Sequence, residues 1–211
     1  MKNLLIIGAL ASGREIYNLA IQCKGYLEEF KIKGFLDNRV NVLDGYKDYP
    51  PIISSVEDYE IQQDDVFACA LVNVNYRKRY VDIILAKGGE FISLVHPTVN
   101  IQQNVEIGQG CIIGNGVNLS CDLKVGNFVT ISPYSVIGHD AVIGDWCQLE
   151  TYSFIGGFVR LYPMVTIHTG AIILHTKKVE SHSTVGAGSV VISNVKENVT
   201  VFGIPAKKLK F

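Results

Sequence analysis

From Ile101 to Val191 every sixth residue is a branched aliphatic: Ile101, Ile107, Ile113, Leu119, Val125, Ile131, Ile137, Ile143, Leu149, Ile155, Leu161, Ile167, Ile173, Val179, Val185 and Val191. Ile, Leu and Val fill 28 of the 91 residues in this stretch, so chance would fill one chosen frame this way with odds of roughly one in 10^8. Two residues before each frame position the side chain is usually small or apolar (Cys111, Val117, Val129, Ser135, Ala141, Cys147), and the residue after it is often glycine. A period of six cannot be helical, because the apolar positions would drift around a 3.6-residue turn; a short strand followed by a corner fits it. Three such units close a triangular coil. Coils stacked about 4.8 Å apart bury the branched side chains inside a prism. The separation of 90 positions from Ile101 to Val191 makes five coils of 18, and the unbroken frame leaves no long loop between them.

The region before it has a different rhythm. Up to about Thr98 short apolar runs alternate with longer amphipathic ones, the pattern of βα units around a parallel sheet. Leu4–Gly8 is a buried strand, and Arg14–Lys24 places Ile16, Leu19, Ala20 and Cys23 on one helical face. Strands are expected over Lys31–Asn38 and Val66–Val72, with a helix over Asn75–Lys87. Gly88 and Gly89 end that helix, FISLV returns as a strand, and His96-Pro97 closes the region. The expected fold class is an α/β N-terminal Rossmann-like domain followed by a β-helix.

Composition narrows the function. With 19 Lys plus Arg against 20 Asp plus Glu in 211 residues, the formal charge is -1. No basic excess draws in a nucleic-acid backbone or an anionic membrane. The apolar start, MKNLLIIGAL, is shorter than a signal-peptide core or a bilayer span, so a cytoplasmic protein is expected. Five cysteines without a CxxC pair suit buried, reduced thiols.

His139 sits two positions after Ile137, beside Asp140, on a corner pointing away from the filled prism. Acyl transfer to an amine or hydroxyl needs a base as the thioester is attacked; histidine titrates in the right range, and a neighbouring carboxylate holds the ring. On these residues alone, a solvated corner histidine stands beside that reading. His175 occupies the same hexapeptide position two coils later, about 10 Å along the edge. A zinc site of the carbonic anhydrase kind would need a third histidine where Glu180 stands. His168 and His182 read as surface or intersubunit residues, and His96 as interdomain packing.

Taken in order, IIGALASGREI, FLDN, the hexapeptides, VIGHDAVIGD and GIPAK resemble the hexapeptide-repeat sugar O-acyltransferases of the sialic acid O-acetyltransferase type and the related nucleotide amino-sugar N-acetyltransferases. The resemblance covers essentially the whole chain. It implies a left-handed parallel β-helix assembled as a homotrimer, and an acetyl-CoA-dependent transferase acting on an amino or hydroxyl group of a sugar, with no metal. It implies an acceptor-binding domain over 1–98, a β-helix over 99–194 and a tail over 195–211 that contacts acyl-CoA. The catalytic base would be His139 with Asp140 as its modulator. Acyl-CoA would meet Gln148, Gly157, Thr169, Gly186, Ala187 and Lys207, with Lys208 and Lys210 near its phosphates. The acceptor, which such a family takes as a sugar or nucleotide-linked sugar, would meet Leu10, Ala11, Ser12, Gly13, Asp37, Asn38 and Val72. Leu10, Ala11 and Val72 are bulkier than the small residues the family usually has there, which points to a different nucleotide pose, a smaller substrate or a lost nucleotide site. A β-helix protein without catalysis, or one that depends on a metal, is the alternative. Trp146, Phe154, Phe158 and Tyr162 supply apolar corners and faces for the trimer to cover.

Overall fold

A computed structural model describes residues 1–209. Lys210 and Phe211, the end of the lysine-rich tail, lie outside the described residues. The chain divides into two compact units, one over Met1–Pro97 and one beginning at Thr98.

The first unit is built on a five-stranded sheet of β1 (Lys2–Ile7), β2 (Phe30–Leu36), β3 (Ile52–Ser54), β4 (Asp65–Cys69) and β5 (Glu90–Phe91), in the order β3-β2-β1-β4-β5. Every pairing is parallel. Leu4 to Ile7 are buried without a polar alternation, as a central parallel strand covered on both faces requires. Helix α1 (Ala11–Ala20) follows β1, and α2 (Val74–Ala86) follows β4. Asn73 caps α2, its side-chain oxygen accepting from the backbone N–H of Asn75 and Tyr76 at 3.1 Å. The sequence pattern placed the start of α1 at Arg14; the helix begins three residues earlier and contains Gly13. A side chain at Gly13 would run into the carbonyl of Gly8, so that glycine lets the helix sit against the preceding turn. Strand β3, a three-residue edge strand after Pro50-Pro51, has no counterpart in the sequence reading.

A polar knot holds the opposite end of this sheet. The Asp65 carboxylate accepts from Lys33 Nζ at 2.8 Å, Tyr59 Oη at 2.6 Å and the Gln62 backbone N–H at 2.8 Å. Burial pushes the Asp65 carboxyl up, but these donors outweigh it and hold the group below its ordinary value.

The second unit is a β-solenoid whose two-residue strands form parallel ladders along three faces. The register repeats every 18 residues: Asn118 pairs with Asn100 and Val136, Lys124 with Glu106 and Val142, and Thr130 with Ile112 and Gln148. Frame residues from Ile113 to Val191 are buried along the interior, whereas Ile101, in the first coil with nothing stacked before it, is exposed. Cys111 and Cys147 point inward as small core residues and donate to the Gly126 and Tyr162 carbonyls at 3.1 and 3.2 Å.

The corners carry a feature that residue propensity does not announce. The third residue after each frame position has positive φ, in an uninterrupted series from Asn104 through Asp140, Trp146 and Phe158 to Gly188. Bulky residues rarely adopt that conformation. From Asp122 to Gly188 each corner N–H is tied to a carbonyl 19 residues earlier, as in Asp140 to Cys121 at 3.1 Å and Phe158 to His139 at 2.9 Å, so the stacked coils impose it. After the last coil the tail continues one face: Thr200–Phe202 pairs in parallel with Thr184–Val185, and Lys207–Lys208 folds back antiparallel on it.

Candidate active site

Four consecutive coils place Cys121, His139, Gly157 and His175 at one recurring position along a single edge of the solenoid. His139 Nδ1 lies 2.8 Å from Asp140 Oδ2, with the imidazole 54% and the carboxylate 41% exposed. Asp140 can therefore accept a hydrogen bond from Nδ1–H, which leaves the Nε2 lone pair free to take a proton. The ring stands edge-on to Phe158, centroids 5.2 Å apart at 89°. Room for it comes from Gly157 in the next coil: a Cβ there would sit 2.7 Å from His139 Nε2 and 2.9 Å from Cε1. Gly157, expected at the acyl-CoA groove, is thus also the residue that seats the imidazole.

One coil earlier, Cys121 is the only half-exposed cysteine among the five; the other four are buried. The adjacent Asp122 carboxylate pushes its thiol above the ordinary value, which keeps it protonated and poorly suited as a nucleophile. Asp122 is itself bonded by Asn104 Nδ2 at 2.7 Å.

The other residues expected along the acyl-CoA groove lie on the face and edge that carry the tail. Gln148 is a buried strand residue, paired in register with Thr130 and Thr166. Thr169 and Ala187 are exposed corner residues one coil apart, and the Thr169 carbonyl accepts from the Gly188 N–H at 2.9 Å. A side chain at Gly186 would strike the Phe202 ring, so that glycine also seats the tail against the last coil. Lys207 and Lys208 are exposed on the final strand. His168 is half-buried, while His175 and His182 are exposed. Among the described residues no group of three His, Cys, Asp or Glu side chains could hold a metal ion.

In the first unit, the turn after β1 and the loops after β2 and β4 meet where the sheet order reverses between β1 and β4, the place where open α/β sheets take ligands. Leu10 and Val72 stand there, each 46% exposed. Ala11 and Asn38 are exposed, Ser12 half-buried and Gly13 buried. No side chain caps the start of α1, and its first turn holds no acid. Asp37 is buried, and its Oδ2 accepts from the Ala9 backbone N–H at 2.9 Å. Arg39, absent from the sequence expectations, closes a fork on the same carboxylate, Nε to Oδ1 and Nη2 to Oδ2, both at 3.0 Å. Burial raises the Asp37 carboxyl, but the Arg39 guanidinium and the backbone donors pull it lower on balance. His96, expected between the domains, bonds Gln22 within the first unit, Nε2 to Oε1 at 3.0 Å.

Solved structures share the fold of this chain over essentially its whole length, an acetyltransferase domain among them. WeeI from Acinetobacter baumannii is 26% identical with a TM-score of 0.86, over 99% of this chain and 100% of its own. The acetyltransferase domain of PglB from Neisseria gonorrhoeae is 25% identical with a TM-score of 0.88, over 99% and 100%, and it has also been solved in complex with acetyl coenzyme A. PerB from Caulobacter crescentus, solved with CoA and GDP-perosamine, is 20% identical with a TM-score of 0.89, over 100% and 98%. The GMPPB C-terminal domain matches residues 91–189. No curated protein matches the chain in sequence. No helix among the described residues is long and apolar enough to cross a membrane.

Proposed function

We propose that the chain is an acetyl-CoA-dependent acetyltransferase that modifies an amino or hydroxyl group of a sugar, with a nucleotide-linked sugar as the preferred acceptor class. The observation that carries this reading is the His139–Asp140 pair on the solenoid edge, seated over Gly157, in a fold shared from end to end with acetyltransferases. His139 Nε2 takes the proton from the acceptor nitrogen or oxygen as that atom bonds to the thioester carbonyl carbon. The C–S bond then breaks, and the imidazolium returns its proton to the departing CoA sulfur. Asp140 stabilises the imidazolium and fixes the tautomer through the 2.8 Å contact at Nδ1. With Cys111 and Cys147 buried in the core and Cys121 kept protonated, a direct transfer suits this edge better than an acetyl-cysteine intermediate.

The finer assignments follow the same reading. The first unit is Rossmann-like and binds the acceptor with Leu10, Ala11, Ser12, Gly13, Asp37, Asn38 and Val72 around the sheet's switch point. The solenoid is left-handed, and Gln148, Gly157, Thr169, Gly186, Ala187 and Lys207 line the acyl-CoA groove. Three copies assemble around an apolar strip on one solenoid face, where Val136, Phe154 and Ile172 share a register and the first two are exposed large hydrophobics. Of the apolar corners, Phe158 is exposed, whereas Trp146 is half-buried against the chain's own Phe128, stacked 4.4 Å away.

Thermal-shift measurements with acetyl-CoA and with UDP-, GDP-, CMP- and dTDP-sugars test the reading, because a ligand that binds only the native state raises its melting temperature by mass action. Stabilisation by acetyl-CoA and by one nucleotide-sugar class is the expected result. Stabilisation by acetyl-CoA with none of the sugars points to an unlinked acceptor, and no response to acetyl-CoA contradicts the transferase.

A further inference from the structure

The Asp37 carboxylate has no acceptor capacity left for a ligand. A carboxylate offers about four lone-pair positions, and here Oδ1 takes the Arg39 backbone N–H and Nε, each at 3.0 Å, while Oδ2 takes the Ala9 N–H at 2.9 Å and Arg39 Nη2 at 3.0 Å. The pair is also oriented. The Asp37 side chain is 5% exposed and the Arg39 side chain 54%, so the buried end is negative and the end facing solvent is positive. Of the five guanidinium N–H groups, the two bonded to Asp37 lock the plane and three remain directed away from it. Leu10, three residues past the neighbouring strand β1, and Val72, three residues past β4 on the far side of β1, are both exposed at the same end of the sheet. A planar cation locked in one orientation by its buried carboxylate, with its outer face in solvent at the carboxyl end of the sheet, suits an oxyanion that it can engage through two parallel hydrogen bonds.

We propose that Arg39, and not Asp37, is the group that meets the acceptor at the tip of β2, and that it selects acceptors carrying a phosphate. This rests on the reading of the first unit as the acceptor-binding unit. Asp37 is then a positioning residue that aims the fork. The phosphate has two chemical sources, a nucleoside diphosphate or a sugar phosphate without a base.

Isothermal titration of the full chain, without acetyl-CoA, with UDP, GDP, dTDP and glucose 1-phosphate separates these sources. At least one probe should bind the native protein. Arg39→Met should weaken it about 10- to 100-fold, as expected for losing hydrogen bonds to a charged group. Arg39→Lys should fall between the two, because an ammonium keeps the charge and loses the fork. Asp37→Asn should also weaken binding by freeing the guanidinium from its fixed plane, with melting curves confirming that each variant is folded. If glucose 1-phosphate alone shows the Arg39 dependence, the phosphate selection stands with an unlinked sugar phosphate as its source. If Asp37 itself contacted the acceptor, Arg39→Met would bind as tightly as the native chain or more tightly, and that result overturns the proposal, as does a native protein that binds none of the four probes. In steady-state transfer, Arg39→Met should raise the acceptor KM while leaving kcat and the acetyl-CoA KM in place. The titrations need no turnover, so their failure leaves His139 chemistry untouched; Arg39-dependent binding in a protein that never consumes acetyl-CoA would instead remove the transferase and keep the phosphate site.

Discussion

Replacing Gly157 by alanine probes the candidate base without touching it. The new methyl would lie 2.7 Å from His139 Nε2, 2.9 Å from Cε1 and 3.2 Å from Cδ2, where ordinary contact is 3.4–4 Å. The imidazole must therefore retreat by several tenths of an ångström up to about 1 Å, and it can, because the ring is 54% exposed and is held on one side by its Nδ1 contact to Asp140 and on another by the edge-on Phe158 ring. Folding should suffer little: the backbone at Gly157 is outside the left-handed region, and turning an exposed ring off its preferred rotamer costs about 0.5–1.5 kcal/mol. Catalysis should suffer more. A misplacement of about 1 Å in a reacting group costs on the order of 10^2 in rate, so Gly157→Ala should lower kcat roughly 10- to 100-fold. Initial rates of CoA release at saturating acceptor and donor measure this, alongside a melting curve that stays close to the native one. Native kcat in this variant would refute the role given to the Nε2 position.

Other consequences reach the rest of the molecule. Asp65 has a depressed carboxyl in the folded state, so its contribution is fully present above the unfolded carboxylate pKa and lost as pH falls through the lower folded value. Urea titrations of the native chain should show stability falling below about pH 4, and Asp65→Asn, which breaks a buried pair with Lys33, should cost about 2–4 kcal/mol at pH 7 and flatten that acid dependence. Ile155→Ala, in a fully buried frame position between Ile137 and Ile173, should cost about 2–5 kcal/mol by the same titration. Phe154→Asp, in the apolar strip, should shift a trimer to monomer in light scattering; a native chain that is already monomeric would remove that interface.

The solenoid was legible because its period is fixed by a packing requirement, one branched side chain per strand with every coil of equal length. Once the coil is 18 residues, the sequence also says that Gly157 lies over His139. It does not say which way the ring leans, and that direction is what makes the glycine necessary. The left-handed corners were not legible, since Phe128, Tyr134, Trp146 and Phe158 are residues that avoid positive φ when left to local preference; interstrand hydrogen bonds from neighbouring coils override it. In the first unit, the apolar pattern starts the helix at Arg14, after Gly13, although that glycine's lack of a side chain is what lets α1 begin at Ala11 against the preceding turn. The resemblance names Asp37 as an acceptor-binding residue at the end of a strand. Its saturation by Arg39 and Ala9 depends on a loop conformation that no periodicity encodes.

The most direct measurement is acetyl transfer by the native protein and by His139→Ala, followed as CoA release and as mass gain of an amino-sugar nucleotide. The native chain should acetylate at least one acceptor, and the variant should turn over about 10^2- to 10^4-fold more slowly while still binding acetyl-CoA. Equal rates for the two proteins, or an acetyl group trapped on a cysteine, would contradict general-base transfer at His139.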